Sequence, residues 1–252
     1  MNIEVNNLSF EYSKNHETLK NVSFKFSSGD IVAVLGVNGA GKSTLIKCLG
    51  SIYKPKNGEI LIDGQNLSAL NASKRARLIS YVPQNIVFPD FSVFDSILIG
   101  RKPYINIEPS KDDYKIISDT ITSLGLEKLA FKSVNQISGG EKQKVAIARA
   151  LVQSSSVILF DEPTSSLDVK NQLEVINLIR QIVKEKNLIA FVVIHDINLA
   201  LKLANKFLLL KNGQVVDKGD FSIITESNLD SLYGVSTKIF ENNNNKFVIF
   251  NN

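Results

Sequence analysis

The sequence predicts an α/β chain: a wound core of largely parallel strands, an antiparallel β portion beside it and an inserted helical segment. Three observations carry this. Short β-branched apolar runs bounded by polar residues stand at 31–35 (IVAVL), 157–160 (VILF), 190–194 (AFVVI) and 207–210 (FLLL), the pattern of strands buried on both faces. Helical periodicity fills 43–49, 141–152, 169–186 and 198–204, and strand alternating with helix implies a wound parallel sheet. The 252 residues, 44% hydrophobic and 21% charged, have the composition of a globular chain that buries a real core, at a length α/β chains often fill as one domain.

Taken in order, residues 2–10 and 22–26 alternate apolar and polar, as strands with one wet face do. Lys56-Asn57-Gly58-Glu59 and Lys211-Asn212-Gly213-Gln214 carry the Asn-Gly signal of a tight hairpin turn. From 87 to 134 no strong buried strand occurs, but 113–124 has helical spacing, so this stretch reads as a mostly helical insertion. The polar run 242–245 reads as a loop. A single cysteine, Cys48, excludes a disulfide framework and a multi-cysteine metal site, and reads as a small buried apolar side chain. The start MNIEVNNLSF has no basic region followed by an apolar core, and no uncharged apolar run approaches the roughly 18 residues of a membrane span. Net charge is +4 with both signs interspersed, so no nucleic-acid partner is expected.

Chemistry concentrates at the ends of the predicted strands. Gly36-Val37-Asn38-Gly39-Ala40-Gly41-Lys42-Ser43-Thr44 fits G-x-x-x-x-G-K-[ST] and lies between a strand and a helix, the context a phosphate loop demands. There the glycines let N–H groups wrap phosphates at a helix N-terminus, Lys42 reaches the β and γ phosphates, and Ser43 binds Mg²⁺. Asp161 and Glu162 end the strand at 157–160; Asp161 suits Mg²⁺ and Glu162 a general base for an attacking water. Alone, these would read as two solvated acids opening a turn before Pro163. His195 follows the run 190–194, and ligands of open α/β sheets bind beyond such strand ends, so Lys42, Glu162 and His195 form a candidate catalytic set. Ser138-Gly139-Gly140-Glu141 has capping-box spacing before a helix, while its two glycines expose N–H groups as a second anion site would. The residues alone leave those two readings balanced.

The order of these motifs resembles the ATP-binding cassette (ABC) ATPases along nearly the whole chain. The phosphate loop, Gln84 in YVPQ, the signature ISGGE at Ile137 to Glu141, Asp161 with Glu162, SSLD at Ser165 to Asp168 and His195 stand in family order. Tyr12 in FEY matches the family aromatic that stacks on adenine. The signature opens with Ile137 and closes with Glu141 where Leu and Gln are commoner, variants the family contains. The resemblance implies a P-loop NTPase core at 1–86 and 135–252 with a helical subdomain at 87–134, all one ABC ATPase domain. It implies ATP hydrolysis with Mg²⁺ held by Ser43, Gln84 and Asp161, and ATP bound by Tyr12, Gly36, Asn38, Gly39, Ala40, Gly41, Lys42, Ser43, Thr44 and Gln84. It further implies a head-to-tail homodimer in which Ser138, Gly139, Gly140, Glu141 and Asp168 complete the partner copy's site, and this favours the anion reading of the signature.

Within the family, Gly100-Arg101-Lys102-Pro103-Tyr104 resembles the GR-x-P-[HY] segment of iron-siderophore, haem and cobalamin importers; on residues alone it reads as a surface loop between helices. The stretches at 195–200 and 232–235 resemble the same branch. The expected partners are transmembrane permease subunits and, indirectly, a substrate-binding protein, with the chain peripheral at the cytoplasmic face of the membrane. Alternatives are cassettes for zinc, molybdate or export, and non-transport ABC ATPases. Chromosome-maintenance ATPases would place a long coiled coil between phosphate loop and signature, and residues 45–136 hold no sustained heptads.

Overall fold

The computed structural model describes residues 1–13, 17–242 and 245–251. In chain order the elements are β1 (Asn2–Glu11), β2 (Glu17–Ser27), β3 (Ile31–Leu35), α1 (Lys42–Leu49), β4 (Asn57–Ile62), β5 (Gln65–Asn66), α2 (Ala72–Leu78) and β6 (Ile79–Val82). Then come α3 (Val93–Leu98), α4 (Lys111–Ser123), α5 (Gly139–Val152), β7 (Val157–Asp161), α6 (Val169–Lys186), β8 (Ile189–Val193) and α7 (Ile197–Leu203). The chain closes with β9 (Lys206–Lys211), β10 (Gln214–Gly219), α8 (Glu226–Tyr233), β11 (Thr237–Asn242) and β12 (Asn245–Phe250).

The fold is α/β, as expected. The central sheet runs β10-β9-β3-β8-β7-β6, parallel except for β10, and an antiparallel sheet β2-β1-β4-β5 lies beside it. Every residue of β3, β7 and β8 is buried, because both faces of the central sheet are covered. Successive residues of β3 serve opposite cores: Ile31, Ala33 and Leu35 pack with α5, α6 and α7, while Val32 and Val34 pack with α1 and the antiparallel sheet. Three phenylalanines, Phe160, Phe191 and Phe207, are among the largest fully buried side chains. Between β6 and α5 the regular elements are helical, as the missing apolar runs indicate. Among the described residues no helix is long and apolar enough to cross a membrane.

Four local readings change. Asn57-Gly58 is not a hairpin turn; it opens β4, where Ser9 pairs with Asn57 across a register shift in β1. The turn is Asp63-Gly64, both at positive φ, between β4 and β5. Asn212-Gly213 does turn β9 into β10. β6 escaped the sequence reading because its four residues, ISYV, are too short and polar to stand out. β8 ends at Val193, one residue before the predicted strand end, so His195 sits in the connection to α7. At 242–245, Asn242 and Asn245 are paired strand ends, and the rest of that run lies outside the described residues.

Candidate functional site

The strand order puts the carboxyl ends of β3, β8 and β7 side by side. Neighbouring strands lie about 4.8 Å apart, so groups leaving these ends share one small space. The phosphate loop follows β3. Gly36 cannot carry a side chain there: a Cβ would lie 2.2 Å from the Leu210 carbonyl oxygen. Lys42 is buried, and its Nζ donates to the Gly36 and Val37 carbonyls at 2.8 and 3.0 Å. Burial pushes its ammonium below the ordinary lysine value, and the negative charges of Glu162 and Asp161 oppose that shift.

Ser43, at the start of α1, donates to Asp161 Oδ1 at 2.8 Å, and Tyr81 on β6 donates to Asp161 Oδ2 at 3.2 Å. Asp161 is the last residue of β7 and is buried, so both its oxygens are held by hydroxyls. The phenol of Tyr81 is pushed upward, first by burial and then by the Asp161 charge, so it remains a donor. Glu162 follows at φ 51, a left-handed backbone that costs a non-glycine residue roughly 1–3 kcal/mol. That bend turns its carboxylate off the strand line into the space beside the loop. Gln84 Nε2 donates to Glu162 Oε2 at 2.6 Å, and His195 Nε2 stands 2.5 Å from Glu162 Oε1. The three residues of the expected metal set are therefore divided: Ser43 and Asp161 are bonded to each other, while Gln84 is bonded to Glu162.

These groups border a cleft of about 310 Å³ lined by Tyr12, Thr18, Asn38, Gly39, Gly41, Lys42, Ser43, Thr44, Glu162 and His195. Tyr12 donates or accepts with Thr44 Oγ1 at 3.0 Å and meets Phe10 and Tyr53 edge to face, yet is 56% exposed, which leaves ring surface open to stack on a planar ligand. A larger cleft of about 910 Å³, bordered by Gly29, Ile31, Arg180 and Asn205, shares none of these residues.

The signature segment does not line the cleft of its own chain. Ser138 caps α5 in a full capping box: its backbone N and Oγ donate to Glu141 Oε2 at 2.7 and 2.8 Å, and Glu141 N donates to Ser138 Oγ at 3.3 Å. The Ser138 N–H holds the Glu141 carboxyl below the usual range. A Cβ at Gly139 would meet nothing within 4 Å, whereas one at Gly140 would lie 2.8 Å from Asn171 Oδ1. Asn171 is in turn held by Asp168, which caps α6: N to Oδ1 at 2.8 Å and Nδ2 to Oδ2 at 3.0 Å. Asp168 and the signature are thus one surface. Sequence reasoning missed Thr18, Tyr81 and Asn171. Tyr81 was legible only as the neighbour of Gln84 in YVPQ; for Thr18 and Asn171 no local signal exists.

Comparison with known proteins agrees with this geometry. A family model described as ABC transporter matches residues 19–165. An ABC transporter ATP-binding protein of Methanocaldococcus jannaschii is 45% identical over 95% of this chain and 94% of its own length. An ATP-binding protein assigned to iron chelatin transport in Helicobacter pylori is 34% identical over 99% of each chain, and a phosphonates import ATP-binding protein of Halalkalibacterium halodurans is 31% identical over 92% of this chain and 94% of its own. Among solved structures, an inward-facing metal-chelate type ABC transporter candidate matches with TM-score 0.84 and 32% identity over 98% of this chain and 96% of that one. A dimeric ATP-binding cassette with ADP and Pi matches with TM-score 0.75 and 28% identity, over 86% of this chain and 98% of that one. A phosphate loop facing an acid pair across parallel strands, in a chain related end to end to such proteins, places it in the ABC transporter family as an ATP-hydrolysing subunit.

Proposed function

We propose that this chain powers uptake of a metal chelate, an iron-siderophore, haem or cobalamin, through a separate membrane permease fed by a substrate-binding protein. Residues 1–86 and 135–252 form the catalytic core and 87–134 the helical subdomain, with the chain peripheral at the cytoplasmic face. The observation that carries the cargo is relatedness over 99% of each chain to a protein assigned to iron chelatin transport.

In this reading adenine stacks on Tyr12 and the phosphates lie against the loop from Gly36 to Thr44, with Lys42 turning from the loop carbonyls to the β and γ phosphates. Mg²⁺ fits the donor set: the Ser43 hydroxyl and Asp161 carboxylate are hard oxygen donors 2.8 Å apart, and the Gln84 amide oxygen is not used in its bond to Glu162. When bound, the metal neutralises phosphate charge. Glu162, held from one side by Gln84 and from the other by His195, takes the proton of the attacking water, and His195 keeps that carboxylate aligned. Ser138, Gly139, Gly140, Glu141 and Asp168 close the nucleotide site of a second copy. Their absence from their own cleft and the open space above Gly139 support this, as does the dimeric cassette among the structural relatives. The permease docks on the helical segment, where Phe94 lies between Tyr114 and the exposed Phe131, with ring centres 6.2 and 6.3 Å away.

One experiment tests activity and cargo together. A strain lacking the gene should lose labelled iron-chelate uptake, regain it with the wild-type gene, and not regain it with Glu162→Gln. The purified variant should still bind ATP while hydrolysis falls about 10²-fold to 10⁴-fold, the usual cost of losing a general base. Loss of phosphonate, zinc or molybdate uptake instead would change the cargo; an efflux defect would reverse the direction.

A further inference from the structure

Within the GRKPY segment Gly100 and Arg101 are buried, while Lys102 is exposed and Pro103 and Tyr104 are half-buried. Arg101 and Asp113 are both buried and paired, Nε to Oδ1 at 2.7 Å. Asp113 is also the capping-box residue of α4, accepting from Ser110 N and Oγ at 2.9 and 2.7 Å. A second arm of the guanidinium, Nη1, donates to the Val152 carbonyl that ends α5 at 2.7 Å and to Ser154 Oγ at 3.2 Å. The Arg101 guanidinium carbon lies 3.9 Å from the Tyr104 ring centre, and that of Arg77 from α2 lies 4.6 Å from it. Arg77 and Ser73 both donate to the Pro103 carbonyl. At Gly100 the chain touches α5 so closely that a Cβ would sit 2.1 Å from the Arg149 carbonyl oxygen.

The segment is therefore a knot joining α2 and α4 to the C-terminal end of α5, and a planar fork stacked on a ring is a geometry lysine cannot reproduce. The 14-residue α5 is a rod roughly 21 Å long, and its other end is the signature. We propose that Arg101 is a positioning residue: it holds the far end of α5 so that Ser138 to Glu141 meet the nucleotide of the partner copy. This rests on the shared-site reading above.

The test uses Arg101→Lys, which keeps charge but loses the fork, and the double variant Arg101→Met with Asp113→Asn, which strands no buried charge. Each should unfold cooperatively and bind ATP within about twofold of wild type, while kcat falls about tenfold or more with KM nearly unchanged, the mark of an interaction used at the chemical step. Mixed with Lys42→Ala subunits, each should regain activity, because the mixed dimer holds one site free of both lesions; mixed with Ser138→Arg subunits, neither should. Rescue by Ser138→Arg subunits instead would show that Arg101 serves its own cleft, and rescue by neither would show a structural role only; both overturn the proposal. Lys42→Ala mixed with Ser138→Arg is the control. If the control fails, the shared site falls and this inference with it; if only the Arg101 mixtures fail, this inference alone falls.

Discussion

Two glycine-rich segments stand at helix N-termini in this chain, and they are built in opposite ways. At the phosphate loop the chain itself demands glycine: the Leu210 carbonyl fills the place of a Gly36 side chain, α1 has no side-chain cap, and Lys42 is buried over the loop. At the signature a side-chain capping box completes the helix start, and Gly139 faces open space. Alanine there would cost the monomer nothing and would remove a glycine penalty. A glycine that its own chain does not require points to a constraint from outside that chain. The conformation of the phosphate loop is thus fixed by its own fold, whereas Gly139 of the signature is not required by the chain that carries it.

Three substitutions test this contrast, beginning with the largest expected effect. Gly36→Ala must push apart β3 and β9, so unfolding free energy should fall by about 3 kcal/mol or more, the range of overpacking and backbone strain together, with loss of ATP binding. An unchanged urea midpoint would show that the loop relaxes freely. Gly139→Ala should leave stability unchanged or raise it by up to about 0.5–1 kcal/mol, yet lower steady-state ATPase about tenfold, or about 1.4 kcal/mol at the transition state. Equal losses of stability and activity would place the constraint inside the chain.

Glu141→Gln should have the smallest effect. Its carboxyl is held below its usual value by the Ser138 N–H, so its stabilisation is present above the unfolded-state value near 4.5 and is lost as pH falls through the lower folded value. The variant should lose less stability than wild type on acidification below about pH 4.5, by at most about 0.5 kcal/mol at a half-buried surface site. Urea unfolding at neutral pH and at pH 3 checks the sign.

The GRKPY segment shows why a sequence match and a physical role can differ. As a resemblance it points to cargo, but its arginine is buried in a knot of helices and contacts α4 and α5. These contacts account for the arginine within this chain, and no contact with cargo is needed to explain it.

Local spacing determined the buried strands, most helices and the phosphate loop, because which face a residue takes and which N–H groups a turn exposes follow from neighbours along the chain. Ser43, Asp161, Glu162 and His195 were legible for the same reason: each sits at the end of a readable strand or loop. Their meeting was not. Ser43 and Asp161 are 118 residues apart, and Gln84 and Glu162 are 78 apart. Only the order β3-β8-β7-β6, chosen by burial of both sheet faces, brings them within hydrogen-bond reach. Tertiary structure likewise decided that Tyr81 holds Asp161, that Asn171 ties Asp168 to the signature and that Arg101 is buried. Each of these depends on a partner distant in sequence, and no local propensity encodes which distant surface a side chain will meet.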